Sequence, residues 1–482
     1  MGVLWAIAAY AGNKIITVLT TVILARILVP SDFGLLALAT LTVGILGVAR
    51  DLGLGATLIV RQELDDRAKG TILTLMTLGG LVVAVAAALL SPVAAAAFRE
   101  PRLGPVLVAL SAVIVLWNIG WFYEAILQRE LAFQRRFVAQ IVLAVTNAAV
   151  AVPLALAGAG VWSLVVGQVV SGVLWLATLV TLAPYRVRPT FDRRIAIDAF
   201  RTGRGFLAQG GIAFVQHNLD YVAVGRFLGP TALGFYSMAY RLGELPYLAI
   251  ADPVAKVTFP DFAQKRHRGE DITEGFLVTL RLIALTTVPL GILLSGAATP
   301  FVEVVLGDKW TPMIATLAVF GLWAAVQPAL ATVSWVLNSI GDAGVLAKAT
   351  GIITVPLLAG VVFAATLGTV EAVAWAVLAQ VACSLPIIAW LVSWRAGIPL
   401  RRQLRAVAPV YVAALPAWGM ARLVATTLAG TAPVLALLAS AAAGLVAYLL
   451  TLAVVEPGVL GRTAAQVQSA LGQMRRPAVT PT

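Results

Sequence analysis

Arg26-Ile-Leu-Val-Pro30-Ser-Asp-Phe-Gly34 recurs downstream as Arg226-Phe-Leu-Gly-Pro230-Thr-Ala-Leu-Gly234, and Ala39 is matched by Ala239. Each copy joins two long apolar runs. The chain is 60% hydrophobic, only 12% charged, and has a mean hydropathy of +0.95. Ordinary soluble domains carry about twice that charge. The duplication therefore describes a membrane protein built twice from one plan. Such internal repeats are characteristic of transporters, in which two pseudo-equivalent halves rock around a site between them.

A span needs about 20 mainly apolar residues, and on that criterion the chain holds about fourteen runs. The first is Val3–Arg26, the seventh Phe206–Leu228 and the eighth Leu233–Val254. Little sequence is left for a soluble domain. Only helices or closed barrels satisfy the backbone in lipid, and the runs are too long and uniformly apolar for alternating barrel strands. The first run is interrupted by Asn13-Lys14 and reads as a retained span rather than a cleaved leader.

Six spans separate the two copies, so both copies share one orientation and the repeat is parallel. The expected fold class is all-α integral membrane, with about fourteen transmembrane helices arranged as two parallel-repeat six-helix lobes plus two C-terminal helices. The expected divisions are residues 1–190, 191–395, an appended helix pair at 396–456, and a tail at 457–482. The stretch Phe191–Phe200 is amphipathic and suits the inner leaflet surface.

The net charge of +12 does not mark a nucleic-acid binder. Lys and Arg concentrate in the loops on the side of the two tails. Arg26, Arg99, Arg102, Arg226, Lys309 and Arg422 fall on the other side, and Lys14 and Arg241 lie inside spans. This bias places both termini in the cytoplasm and the chain in the inner membrane. Cys383 stands alone, which excludes an intramolecular disulfide; in its apolar run it reads as a buried inert thiol. With only His217 and His267 present, a histidine metal centre is not expected. No cofactor motif, glycine-rich phosphate loop or Ser/His/Asp pattern is present, so the chain does not read as an enzyme.

The repeat has a direct physical reading. Pro30 and Pro230 end one helix and set the turn. Ser31 and Thr231 are placed to cap the next helix. Gly34 and Gly234 permit close helix approach, and Arg26 and Arg226 sit where they can snorkel to the interface. Within spans, Pro153, Pro246, Pro289, Pro328, Pro356, Pro386 and Pro416 mark bends. Intramembrane polar groups are costly and default to function: Asn13 and Lys14 in span one; Gln216, His217, Asn218 and Asp220 in span seven; Arg241 and Glu244 in span eight. In one reading they line a hydrated cavity whose cations hold an anionic head group. In the other, Arg241 pairs with Glu244 at i,i+3 and the amides bridge helices. His217 and Asp220, also i,i+3, have the spacing of a proton relay. Glu124, Arg50, Asp51 and Asp252 lie nearer the interface and read as structural.

Several stretches taken in order carry a family resemblance. They are Leu24-Ala-Arg-Ile-Leu-Val-Pro-Ser-Asp-Phe-Gly34, Asp51-Leu-Gly-Leu-Gly55, Ala125-Ile-Leu-Gln-Arg-Glu-Leu-Ala-Phe133, Asn218-Leu-Asp220, Gly225 through Arg241, and Phe259-Pro260. They resemble the polysaccharide transporter (lipopolysaccharide/O-antigen flippase) family of the multidrug/oligosaccharidyl-lipid/polysaccharide exporter superfamily. The likeness covers the first 260 residues and continues as a pattern of spans. It implies two six-helix lobes around a cavity and export of a polyprenyl-pyrophosphate-linked oligosaccharide. The implied partners are membrane lipid, that lipid-linked glycan and a coupling ion, proton or sodium. Lys14 and Arg241 suit the cationic role by helix only, and Val29 departs from its counterpart Gly229. The rival readings are a lipid II flippase, a cation-coupled drug exporter, a membrane glycosyltransferase or polymerase, and a non-transporting scaffold. The first two share the superfamily. The polymerase would need a sizeable outer loop that the sequence lacks.

Overall fold

Long apolar runs in lipid must satisfy their backbone polarity internally, and they do so as helices. The computed structural model describes residues 2–51, 65–130, 132–183, 186–340 and 343–458. Leu52–Gly55 of the resemblance, Pro184 and Tyr185 of the central connection, and the tail from 459 onward lie outside the described residues.

In chain order the helices are α1 (Gly2–Ile27), α2 (Pro30–Asp51), α3 (Asp66–Phe98), α4 (Leu103–Arg129), α5 (Phe133–Leu156), α6 (Val161–Leu182), α7 (Arg193–Phe227) and α8 (Gly229–Pro246). Then follow α9 (Asp252–His267), α10 (Thr273–Gly296), α11 (Ala298–Val305), α12 (Ile314–Ser339), α13 (Ala343–Thr366), α14 (Val370–Arg395), α15 (Leu400–Thr427) and α16 (Pro433–Val455). A π-helical turn, Tyr247–Ala251, links α8 to α9, and a 3-10 turn, Asp308–Met313, leads into α12. No strand occurs among the described residues. Eleven helices are long and apolar enough to cross a membrane, judged by length and composition among the described residues. The expected first, seventh and eighth runs coincide with α1, α7 and α8 but fall outside that set. In α7 and α8 the reason is polar content: the cluster Gln216–Asp220, and Arg241 with Glu244, dilute the apolar windows.

The amphipathic stretch Phe191–Phe200 leads directly into α7, which runs unbroken from Arg193 to Phe227. The Asp192 carboxylate caps α7 by accepting from the Arg194 amide at 2.8 Å and the Ile195 amide at 3.3 Å. The chain just before it is tied to the start of α3, where the Thr74 hydroxyl donates to the Thr190 carbonyl at 2.9 Å. Cys383 is exposed, not buried; in an apolar helix the surface is itself a comfortable place for a thiol.

The chain forms two compact units, Met1–Met238 with Leu358–Val373, and Ala239–Leu357 with Ala374–Thr482. Compactness thus divides the chain inside α8. The lobes read from the repeat describe duplication, a different property. In the first unit, Ile72, Met76, Phe122, Ile126, Trp175 and Leu179 form a core contributed by α3, α4 and α6. Glycine lets these helices touch. A Cβ on Gly120 would lie 2.2 Å from the Trp175 ring, and one on Gly80 would lie 2.4 Å from the Asn118 amide nitrogen. In the second unit, α10 crosses α12 where a Cβ on Gly291 would lie 2.6 Å from the Gly321 carbonyl. Here α15 and α16 add Ala413, Ala417, Tyr448 and Leu452 to a core shared with Val288 of α10. The Tyr411 hydroxyl donates to the Ala325 carbonyl at 2.9 Å. The seven intraspan prolines named above all lie inside helices.

Candidate functional site

The two copies of the repeat meet one another. At the start of α2, a Cβ on Gly34 would sit 1.7 Å from the Pro230 carbonyl oxygen; at the start of α8, one on Gly234 would sit 1.9 Å from the Pro30 carbonyl oxygen. The contact is reciprocal and made by backbone, so only glycine fits at either position. On the same helices Leu35, Leu38, Ala39 and Leu233 are fully buried. Arg26 and Arg226 are exposed, as snorkelling requires.

The expected capping is corrected. Neither the Ser31 nor the Thr231 hydroxyl makes a hydrogen bond among the described residues. Instead the Asp32 carboxylate reaches back to accept from the Val29 amide at 3.4 Å, which is one half of a capping box with Pro30 at the first helical position. The Val29/Gly229 difference also has a cause: Gly229 has φ +85°, which favours glycine, whereas Val29 does not adopt positive φ.

On α7 the polar cluster splits between faces. Asp220 is 7% exposed and Tyr236 is fully buried; the tyrosine hydroxyl donates to Asp220 Oδ2 at 2.5 Å. Asp220 Oδ1 has no partner among the described residues. Tyr221 packs edge-on against Tyr236 with centroids 5.5 Å apart. The Asn218 amide donates to the Phe214 carbonyl of its own helix at 2.9 Å. His217 is exposed and Gln216 half-buried. The relay suggested by i,i+3 spacing is not formed, because Asp220 turns inward to Tyr236 while His217 faces out.

Asn13 belongs to a chain of polar groups that links three helices of the first unit. Its amide donates to Gln140 Oε1 at 3.3 Å. The Gln140 amide donates to Glu124 at 3.2 Å, and Arg136 closes on the same carboxylate at 2.9 Å. Glu124 is 9% exposed, whereas the Arg136 side chain keeps 28% of its surface open, so the carboxylate is buried and the pair as a whole is half-buried. Glu124 thus joins α4 to α5 through these contacts. Sequence reading missed its partner Arg136; the i,i+4 spacing of Arg136 and Gln140 on α5 was the available signal. Lys14 is half-buried and engaged in a polar interaction of its own.

Arg241 and Glu244 lie in the second unit. Their spacing permits an ion pair, yet Arg241 is exposed and makes none among the described residues. The neighbouring face of α8 is tightly packed: Gly243 abuts the Phe320 backbone, and Tyr240 packs against Phe320 and Trp323 with centroids 5.3 and 5.2 Å away. Pro246 then gives way to the π-helical turn Tyr247–Ala251, a feature often found at functional positions. The candidate residues Asn13, Lys14, Gln216, His217, Asn218 and Asp220 thus belong to the first unit, and Arg241 and Glu244 to the second.

This architecture is that of known membrane transporters. The lipid II flippase MurJ in its inward closed conformation superposes with a TM-score of 0.75 at 13% identity, covering 94% of this chain and 98% of that one. An inward-facing multidrug resistance MATE family transporter of the MOP superfamily follows at 0.62 and 16% identity, covering 82% and 94%. At these identities the likeness concerns the fold. The particular family comes from the sequence: residues 23–315 match the family described as Polysaccharide biosynthesis protein, and the chain belongs to it.

Among curated relatives, the succinoglycan biosynthesis transport protein ExoT of Rhizobium meliloti is 25% identical over 461 residues, 95% of this chain and 93% of that protein. The teichuronic acid biosynthesis protein TuaB of Bacillus subtilis is 30% identical over 285 residues, 57% of this chain and 58% of TuaB. The lipopolysaccharide biosynthesis protein WzxC of Escherichia coli is 27% identical over 314 residues, 63% of each. The chain therefore spans less than two thirds of TuaB and WzxC and nearly all of ExoT. The resemblance read from the motifs, and the all-helical membrane fold, are both met.

Proposed function

We propose that this protein moves a polyprenyl-(pyro)phosphate-linked oligosaccharide across the cytoplasmic membrane by alternating access, supplying cell-surface polysaccharide assembly. The end-to-end alignment with ExoT, named as a transport protein of succinoglycan biosynthesis, carries the reading. Family membership and the flippase-like fold support it. In this proposal the repeat-related lobes 1–190 and 191–395 are the moving halves, with the helix pair 396–456 accompanying the second. Both termini face the cytoplasm, following the distribution of Lys and Arg. The chain transports rather than transforms its cargo.

Flipping a charged sugar lipid unaided would require stripping water from many polar groups. A cationic lining lowers that barrier for the phosphate while the prenyl tail stays in lipid. Arg241 is the best-supported candidate, because it is exposed and unpaired among the described residues. Lys14, with Asn13, is assigned the same role in the first unit. Gln216, His217, Asn218, Asp220 and Glu244 complete the proposed cavity set. Transport draws on a proton or sodium gradient.

The test is export of the lipid-linked glycan in cells or proteoliposomes. Arg241→Ala and Lys14→Ala each reduce the rate while the folded protein accumulates normally; wild-type rates in both would remove them from the site. Transport of lipid II or of a cationic drug, with none of the glycan lipid, would overturn the proposal in favour of those rivals.

A further inference from the structure

The turn between α3 and α4 holds a feature that glycan transport leaves unused. A groove of about 910 Å³ opens beside the end of α3, walled by Ala95 and Ala96 of α3, Gly104 and Val108 of α4, and Trp162 at the start of α6. Small side chains on both walls leave a trough, and its lining is almost wholly apolar. Arg99 is part of the lining.

Arg99 is unusual in two ways. It has φ +54°, the single positive φ at a non-glycine position among the described residues. It occupies the left-handed position that ends α3, where its amide donates to the Ala95 and Ala96 carbonyls. Glycine is the residue that fits such a terminus without strain, so an arginine here is held against its local preference. Strain of that kind points to a role for the side chain.

The guanidinium is also exposed and makes no ion pair among the described residues. Its neighbour differs: Arg102 is locked onto Glu100, with Nε 2.8 Å from Oε1 and a second nitrogen 3.2 Å from Oε2. That guanidinium holds the Glu100 carboxyl below its ordinary range, so Glu100 is charged but already neutralised. Arg99 is left as the cation without an ion pair in the lining of an apolar trough that Trp162 also lines.

We propose that this groove is a binding site for an anionic glycerophospholipid, its headgroup phosphate on Arg99 and one acyl chain along the trough between α3 and α4. The fit follows from charge and shape. A lipid phosphate accepts paired guanidinium donors, interfacial tryptophan sits at headgroup level, and an apolar groove suits a flexible hydrocarbon chain. The inference rests on the chain spanning a bilayer and is independent of which glycan it carries.

Native mass spectrometry of the delipidated full chain in detergent tests it, with phosphatidylglycerol, uncharged diacylglycerol and a polyprenyl phosphate added separately. Phosphatidylglycerol should be retained preferentially. Arg99→Gln should weaken its retention about fivefold, in line with one basic residue at a membrane surface, and Arg99→Lys should keep most of it. Val108→Trp, which fills the trough and leaves Arg99 in place, should lose it as well. Arg99→Gly separates conformation from charge: the delipidated variant should melt higher than wild type, yet show no rise in melting temperature on adding phosphatidylglycerol. Equal retention by wild type, Arg99→Gln and Val108→Trp would overturn the proposal. So would preferential capture of the polyprenyl phosphate, which would assign the groove to the cargo. A lower melting temperature for Arg99→Gly would refute the argument from strain.

Discussion

Replacing Gly34 by alanine places a methyl carbon 1.7 Å from the Pro230 carbonyl oxygen. Carbon–oxygen contacts settle near 3.3 Å, so α2 and α8 must separate by roughly 1.6 Å at this point. Both partners are backbone, and no side chain can swing aside. Forcing extra bulk into a packed contact costs about 1–3 kcal/mol. Gly234→Ala meets the Pro30 carbonyl at 1.9 Å and should cost a similar amount. The reciprocity makes a sharper statement possible. One displacement of the helices relieves both clashes, so the double variant should be destabilised by little more than either single variant. Residues in contact commonly show coupling of about 0.5–3 kcal/mol in such cycles, and here the sign is fixed by geometry. The assay is equilibrium unfolding of the purified protein in mixed micelles with rising SDS, read for wild type, both single variants and the double. Strict additivity would refute the reciprocal contact. Wild-type stability of Gly34→Ala would refute the close approach itself.

Three further outcomes follow from the buried polar groups and the α3–α4 turn. Tyr236→Phe removes the hydroxyl that donates to Asp220; losing a hydrogen bond to a charged group costs about 1.5–3 kcal/mol, and the same unfolding assay should show that loss, whereas an unchanged midpoint would show the bond to be idle. Glu124→Ala strands Arg136 and removes the acceptor of Gln140; breaking a fully buried pair costs about 3–5 kcal/mol, and breaking this half-buried one should cost less yet still clearly destabilise the protein, with Glu124→Leu plus Arg136→Leu recovering most of the loss, so a double variant as unstable as the single one would contradict the account. At the turn, Arg102 depresses the Glu100 carboxyl below its ordinary value of 4.5. A depressed carboxylate contributes stability that is present above pH 4.5 and disappears as pH falls through the lower folded value. Arg102→Gln should therefore melt below wild type at neutral pH, with the gap closing under acid; a gap that widens below pH 4.5 would reverse the sign.

Much of the architecture was legible in the sequence because the bilayer imposes a one-dimensional rule. Each span must be about 20 apolar residues long whatever it packs against, so span positions follow from composition. The duplication and the two proline turns are likewise local patterns. The need for glycine at 34 and 234 could be read from the repeat, since only a missing Cβ lets backbones approach. The identity of the partner could not: that each copy presses against the other depends on how helices far apart in the chain fold back.

The polar groups show the same division. Asn13, Gln140 and Glu124 are separately visible as intramembrane polar residues, but their joining with Arg136 depends on the rotation and depth of α1, α4 and α5, which side-chain packing sets. The i,i+3 spacing on α7 put His217 and Asp220 on one helical turn, yet the buried hydroxyl of Tyr236 drew Asp220 inward. A single helix leaves such choices open, because local spacing offers several partners at similar cost. The surrounding helices decide among them by determining which groups lose water and which donors meet them there.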